Sequence, residues 1–117
     1  MISVEYFKAS NGSEPAKNFI DSLPPKLQAK TLRAIGLLEE FGIATREPVS
    51  KFLQDGIFEL RVSVGSDTSR VLYFFYVGDK AVLTHGFVKK TRRTPSSELE
   101  RARIYREEYL KQNAERS

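Results

Sequence analysis

The chain has no cysteine and a single histidine, His85. Without cysteine there is no disulfide scaffold, no thiol nucleophile and no thiolate metal site. One histidine excludes a multi-histidine metal centre. No apolar run approaches the roughly 20 residues that a membrane-spanning helix needs. The segment Met1-Ile2-Ser3-Val4-Glu5 lacks the basic-then-apolar layout of a signal peptide, so a cytoplasmic location is expected. There is no P-loop, no dinucleotide glycine pattern, no nucleophile elbow and no metal motif. No cofactor is therefore expected, and any chemistry must come from ordinary side chains. What remains is typical of a soluble globular domain. The 117 residues are 40% hydrophobic and 29% charged, enough for one core. We expect one domain over 1–112 and a frayed tail over 113–117.

Charge is unevenly distributed. The whole chain carries +4, but residues 1–79 are slightly acidic while residues 80–117 carry a clear excess of Lys and Arg. The sharpest cluster is Lys89-Lys90-Thr91-Arg92-Arg93. A local basic patch concentrates phosphate and speeds association with polyanions. A solvated surface explains the same cluster equally well.

The pattern predicts the order β-α-α-β-β-β-α. Val4–Phe7 reads as a short strand and Asn11-Gly12-Ser13 as a turn. Ser13 is a candidate cap for a helix over 14–23, with Glu14 and Pro15 suited to its first turn. A second helix is expected over 25–41, with Leu27, Ala34, Leu37, Leu38 and Phe41 mostly on one stripe and Gly42 ending it. In the segment 57–64, Phe58, Leu60, Val62 and Val64 alternate with Glu59, Arg61 and Ser63. That is a strand with one buried and one polar face. Residues 65–69 read as a loop, 70–77 as a central strand, Gly78-Asp79 as a hairpin turn and 80–88 as the next strand. Thr94 and Pro95 are expected to open a last helix running to about Gln112. This is an α+β domain with an antiparallel meander.

On the polar face of the 57–64 strand, Glu59 and Arg61 point the same way. Arg70 starts the paired strand, and the 80–88 strand delivers Lys89 and Lys90 to one end of the sheet. Converging guanidinium and ammonium groups can hold a phosphate. A carboxylate among them can act as a base or hold an arginine in place. Such a set permits RNA cleavage by the ribose 2′-hydroxyl, an attack that needs orientation, charge neutralisation and proton transfer. An ordinary ion pair on an exposed sheet is the competing reading. His85 reads as a general acid–base group or as a structural residue of its strand. Tyr73-Phe74-Phe75-Tyr76 reads as a base-stacking surface or as core.

Lys51-Phe52-Leu53, Asp55-Gly56-Ile57-Phe58-Glu59-Leu60-Arg61, Arg70-Val71-Leu72-Tyr73, His85-Gly86-Phe87-Val88-Lys89-Lys90-Thr91 and Thr94-Pro95, in this order, resemble the RelE/ParE toxin superfamily. Within it the chain is most similar to the HigB-like, phage-derived branch of type II toxin–antitoxin systems. The resemblance spans about residues 1–108. It implies a RelE-like fold, with two N-terminal helices packed on one face of a small antiparallel sheet and a C-terminal helix. It implies a metal-independent mRNA endoribonuclease acting in the ribosomal A site, so that the ribosome and mRNA are partners. Neutralisation by a cognate antitoxin, of helix-turn-helix type, is also implied. Carried over by position, Arg61, Arg70 and Lys90, with Lys89 beside it, match the family's basic site; with Glu59, the first three make up the expected catalytic set, and Lys51, Lys89, Arg92 and Arg93 are expected to bind RNA. Glu59 departs from the RelE pattern, which has lysine there, and a C-terminal catalytic tyrosine has only Tyr105 as a distant counterpart. The alternatives are a ParE-like gyrase inhibitor with the same fold and an inactive antitoxin-binding relative.

Overall fold

In a computed structural model, which describes residues 2–89 and 93–114, the alternating apolar and polar residues after Asp55 form the centre of a five-stranded sheet. The strands are β1 (Ser3–Tyr6), β2 (Ser50–Gln54), β3 (Ile57–Val64), β4 (Asp67–Tyr76) and β5 (Lys80–Lys89). The helices are α1 (Pro15–Asp21), α2 (Pro25–Phe41) and α3 (Ser96–Ala114). The spatial order is β1-β5-β4-β3-β2. Strands β2 to β5 form an antiparallel meander, as hairpins favour. The expected purely antiparallel sheet is corrected at its edge, where β1 runs parallel to β5 with Ser3 opposite Lys80 and Tyr6 opposite Leu83. The two helices between β1 and the meander bring β1 back along that free edge. The sheet is therefore mixed.

Four helix boundaries also differ from expectation. The first helix is shorter than 14–23. Ser13 belongs to the preceding turn, where its N–H bonds Asn11 Oδ1 at 2.9 Å and its carbonyl accepts from Ala9, and Glu14 takes the cap position. The last helix starts at Ser96, where the Pro95 carbonyl accepts from Glu98 and Leu99. Thr94 spends its hydroxyl elsewhere, as described below. That helix continues to Ala114, and the rest of the expected tail, 115–117, lies outside the described residues. Only α2 has the expected span. The loop expected over 65–69 is a two-residue turn, because β4 begins at Asp67.

Both faces of the sheet are covered, by different means. On one face Ala16 and Ile20 of α1 and Ile35 and Leu38 of α2 pack on Leu60, Val71, Tyr73, Ala81 and Leu83. Gly86 lets α1 close on β5, because a Cβ there would lie 2.3 Å from the Phe19 ring. On the other face Leu99, Ala102 and Tyr109 of α3 pack on Ile57, Leu72, Phe74 and Val82. The β2–β3 hairpin is tied to the same helix, since Arg103 Nε and Arg106 Nη2 each lie 3.1 Å from Asp55 Oδ2. The aromatic run divides between the two faces, with Tyr73 in the first core and Phe74 in the second. It forms core and not a stacking surface. Among the described residues no helix is long and apolar enough to cross a membrane.

Candidate active site

The register of the meander lines up charged residues on the α3 face. Lys51 of β2 stands opposite Glu59 of β3, and Arg61 of β3 stands opposite Arg70 of β4. Two arginines directly across a sheet repel each other unless an anion stands between them. Glu59 is that anion. Its Oε1 lies 2.7 Å from Arg61 Nε and 3.9 Å from Arg70 Nη1. Its Oε2 accepts a hydrogen bond from the Thr94 hydroxyl, and that hydroxyl in turn accepts from Arg70 Nη1 at 3.3 Å. Thr94 stands just before α3, so the network fastens the start of that helix to β3 and β4.

Burial overturns one expectation. The Glu59–Arg61 face was expected to be exposed, yet Glu59 is wholly buried and Arg70 is 3% exposed. Helix α3 covers them. Burial pushes the Arg70 guanidinium below its ordinary pKa, and the neighbouring Glu59 opposes that shift. A buried charge of this kind persists only when paired, so Glu59, Arg70 and Thr94 stand or fall together.

Arg61 is the member that reaches a surface. It lines an open cleft of about 650 Å³ between β2, β3 and the chain entering α3, together with Lys51, Phe52, Arg93, Thr94 and Ser96. The cleft lining contains no Asp or Glu among the described residues. Lys51 and Arg93, expected to bind RNA, therefore meet across it, with Arg61 in its wall and Glu59 and Arg70 behind. Lys89 is exposed at the end of β5, opposite Thr68, and does not line the cleft. Lys90 and Arg92 lie outside the described residues.

His85 takes the structural role. It is 2% exposed, its Nε2 lies 3.0 Å from Glu98 Oε1 and its Nδ1 lies 3.2 Å from the Thr84 hydroxyl. Burial lowers its pKa, while the bond to Glu98 and that residue's charge act the other way. Tyr105 packs beside it, with ring centroids 5.7 Å apart, and also against Phe7. It is a core residue and does not line the cleft. Thr94 was missed as a site residue, because a threonine before Pro95 reads locally as a helix cap. Only the fold shows that its hydroxyl faces a buried carboxylate.

No curated protein matches the chain. The family model for the phage-derived protein Gp49-like family matches residues 18–107, which include β2 through most of α3 and hence every described residue of the cleft. The chain therefore belongs to the Gp49-like family of phage-derived proteins (DUF891).

Proposed function

We propose that this protein is the toxin of a type II toxin–antitoxin pair and that it acts as a metal-independent endoribonuclease on mRNA at the ribosomal A site. The observation that carries this reading is the facing Arg61–Arg70 pair, fixed by a buried carboxylate, at a cleft that also presents Lys51 and Arg93. Cations held rigidly on a buried frame suit an anion whose charge grows during reaction. Membership in a phage-derived family supports the same reading, as does the sequence resemblance to RelE-type toxins.

In the proposed reaction the ribose 2′-oxygen attacks the adjacent phosphorus and the bond from phosphorus to the 5′-oxygen breaks. The products are a 2′,3′-cyclic phosphate and a 5′-hydroxyl. The 2′-hydroxyl proton passes to water in the open cleft, and the leaving 5′-oxygen takes one from water. Arg61 neutralises the phosphorane from the cleft wall, while Lys51 and Arg93 hold the flanking chain. Arg70 acts from behind through its charge and through Thr94. Glu59 is enclosed, with both oxygens engaged, so we assign it to orienting Arg61 and not to accepting the proton. Lys90, Lys89 and Arg92 extend the cationic surface in this proposal. A helix-turn-helix antitoxin would silence the toxin by covering or distorting the cleft.

The test is to induce the protein in growing bacteria and map mRNA 5′ ends by primer extension, with gyrase-mediated DNA cleavage assayed in parallel. New 5′ ends in translated messages are expected, and the same ends should appear with purified protein and ribosomes. Trapped gyrase without new mRNA ends would replace this reading with the ParE-like one. Neither effect would leave the inactive relative.

A further inference from the structure

The cleft does not end at Arg61. Strand β2 pairs only with Ile57–Leu60 of β3, and the Arg61 N–H then bonds the Val49 carbonyl at 2.8 Å, where the neighbouring chain departs. Beyond that point the edge of β3 is uncovered in the sheet. Arg61 consequently lines a second hollow on the other side of this edge, with Lys30, Arg33, Val62 and Ser63. Lys30, Arg33 and Ser63 also line a third hollow, with Lys26, Val64 and Gly65. The first two hollows share Arg61 and the last two share Lys30, Arg33 and Ser63, so the three follow one another around the sheet edge as a trench. Its cationic lining is Lys51, Arg93, Arg61, Lys30, Arg33 and Lys26, and no Asp or Glu lines it among the described residues.

The α2 end of the trench is laid out by helical geometry. Lys26, Lys30 and Arg33 follow i, i+4, i+7 spacing, so they stand on one face over about 10 Å. All three are exposed, and among the described residues none has an ion-pair partner. By contrast, the arginines in the middle of α3 are paired, Arg103 with Asp55 and Glu100 and Arg106 with Asp55. A row of cations without local carboxylates is an unmatched field, and a polyanion is its complement.

We propose that this trench is a single-stranded RNA track, in which the phosphates flanking the cleft continue past Arg61 onto Lys30, Arg33 and Lys26. The inference rests on the nuclease reading for the identity of the strand in the cleft. The bend decides between single and double strands. The track passes from the α3 face of the sheet to the α2 face around one strand edge, and a duplex is too stiff to follow so tight a turn. A single strand follows it easily.

The test measures binding apart from cleavage. An RNA of about 12 nucleotides, a length within the range that single-strand binders cover, carries 2′-O-methyl groups so that it cannot be cleaved by 2′-oxygen attack. Its affinity for the full chain is measured by fluorescence anisotropy over a series of salt concentrations. Each phosphate contact on a single strand contributes about 0.7 to the slope of log affinity against log salt. The triple variant Lys26→Gln, Lys30→Gln, Arg33→Gln should therefore lower that slope by about 2. Lys111→Ala, far along α3, should leave it unchanged. Circular dichroism checks that the triple variant folds, and Lys26→Arg with Lys30→Arg should keep the wild-type slope. A folded triple variant with the wild-type slope overturns the track, even if the wild type cleaves mRNA. If the slope falls as stated while the wild type cleaves no mRNA, the track stands and the nuclease reading fails. Polyglutamate that binds more tightly than the RNA through the same three residues overturns the RNA assignment in favour of an acidic protein segment.

Discussion

Alternate residues of the same strands build two unlike faces. On the α1–α2 side, Leu60, Val71, Tyr73 and Leu83 form an apolar layer whose few polar groups are satisfied locally, as where Thr31 and Ser69 bond each other at 2.8 Å. On the α3 side apolar residues, Leu99 of the helix's first turn among them, share the layer with buried polar and charged groups. Around the start of the helix lie Glu59, Arg70 and His85, all buried. Burying ions costs several kcal/mol each unless they are paired, and an apolar layer of similar volume is often the more stable choice. The α1–α2 face shows that this chain can make such a layer. Around the start of α3 buried charges take part of that layer's place, which is the arrangement the proposed function makes use of.

The largest expected effect tests that contrast on adjacent residues. Glu59→Ala leaves Arg70 buried beside Arg61 without its counter-charge, and should cost on the order of 3–5 kcal/mol. Leu60→Ala removes a wholly buried side chain from the other face and should cost about 2–5 kcal/mol. Urea midpoints measure both losses. The two variants part in function: folded Leu60→Ala should cleave mRNA at the wild-type rate, and folded Glu59→Ala should not. Equal activity in the two would erase the distinction between the faces.

A smaller loss is expected at Arg61. Removing one preorganised donor costs roughly 10²–10³ in rate, so Arg61→Ala should lose about that much cleavage by primer extension. Arg61→Lys should recover only part, because lysine keeps the charge without the planar fork. A fully active Arg61→Ala would remove the cleft from the proposed reaction.

The smallest effect concerns His85. Burial lowers its folded pKa, so the unfolded chain binds its proton first as the solution is acidified. The neutral ring is favoured by folding, and Glu98 with Arg101 and Tyr105 are the charged and titratable groups facing it. Its contribution is complete above the ordinary histidine value near about 6.5 and is lost as pH falls from there through the lowered folded value. Urea midpoints should therefore drop between about pH 7 and pH 5 in the wild type and drop less in His85→Gln. An identical pH dependence in both would remove this histidine from the acid response.

Much of the frame was legible because it rests on local rules. The period-two run from Phe58 to Val64 specified β3, and the Pro25-to-Gly42 stripe specified α2. Strand β2 was missed although a signal was present. Asp55-Gly56 between apolar runs marks a tight hairpin, and both residues adopt positive φ, 57° and 76°. Being short and at the sheet edge, β2 shows little alternation of its own.

By itself the sequence determined the α+β class and the three long strands of the meander, and it put Glu59 and Arg61 on one polar strand face. These follow from periodicity and turn chemistry, which act over a few residues; Lys51 and Arg93 became site candidates through the resemblance and the basic cluster. Only the tertiary structure decided that Glu59 and Arg70 are buried, that β1 runs parallel to β5, and that Lys51 meets Arg93 across one cleft. Alternation says which side of a strand a residue faces, but not what covers that side. The cover here is α3, whose loose stripe of Leu99, Ala102, Tyr105 and Tyr109 marks an apolar face without showing that charged strands lie beside it. Such packing is set by contacts between segments far apart in the chain, and no local pattern encodes them.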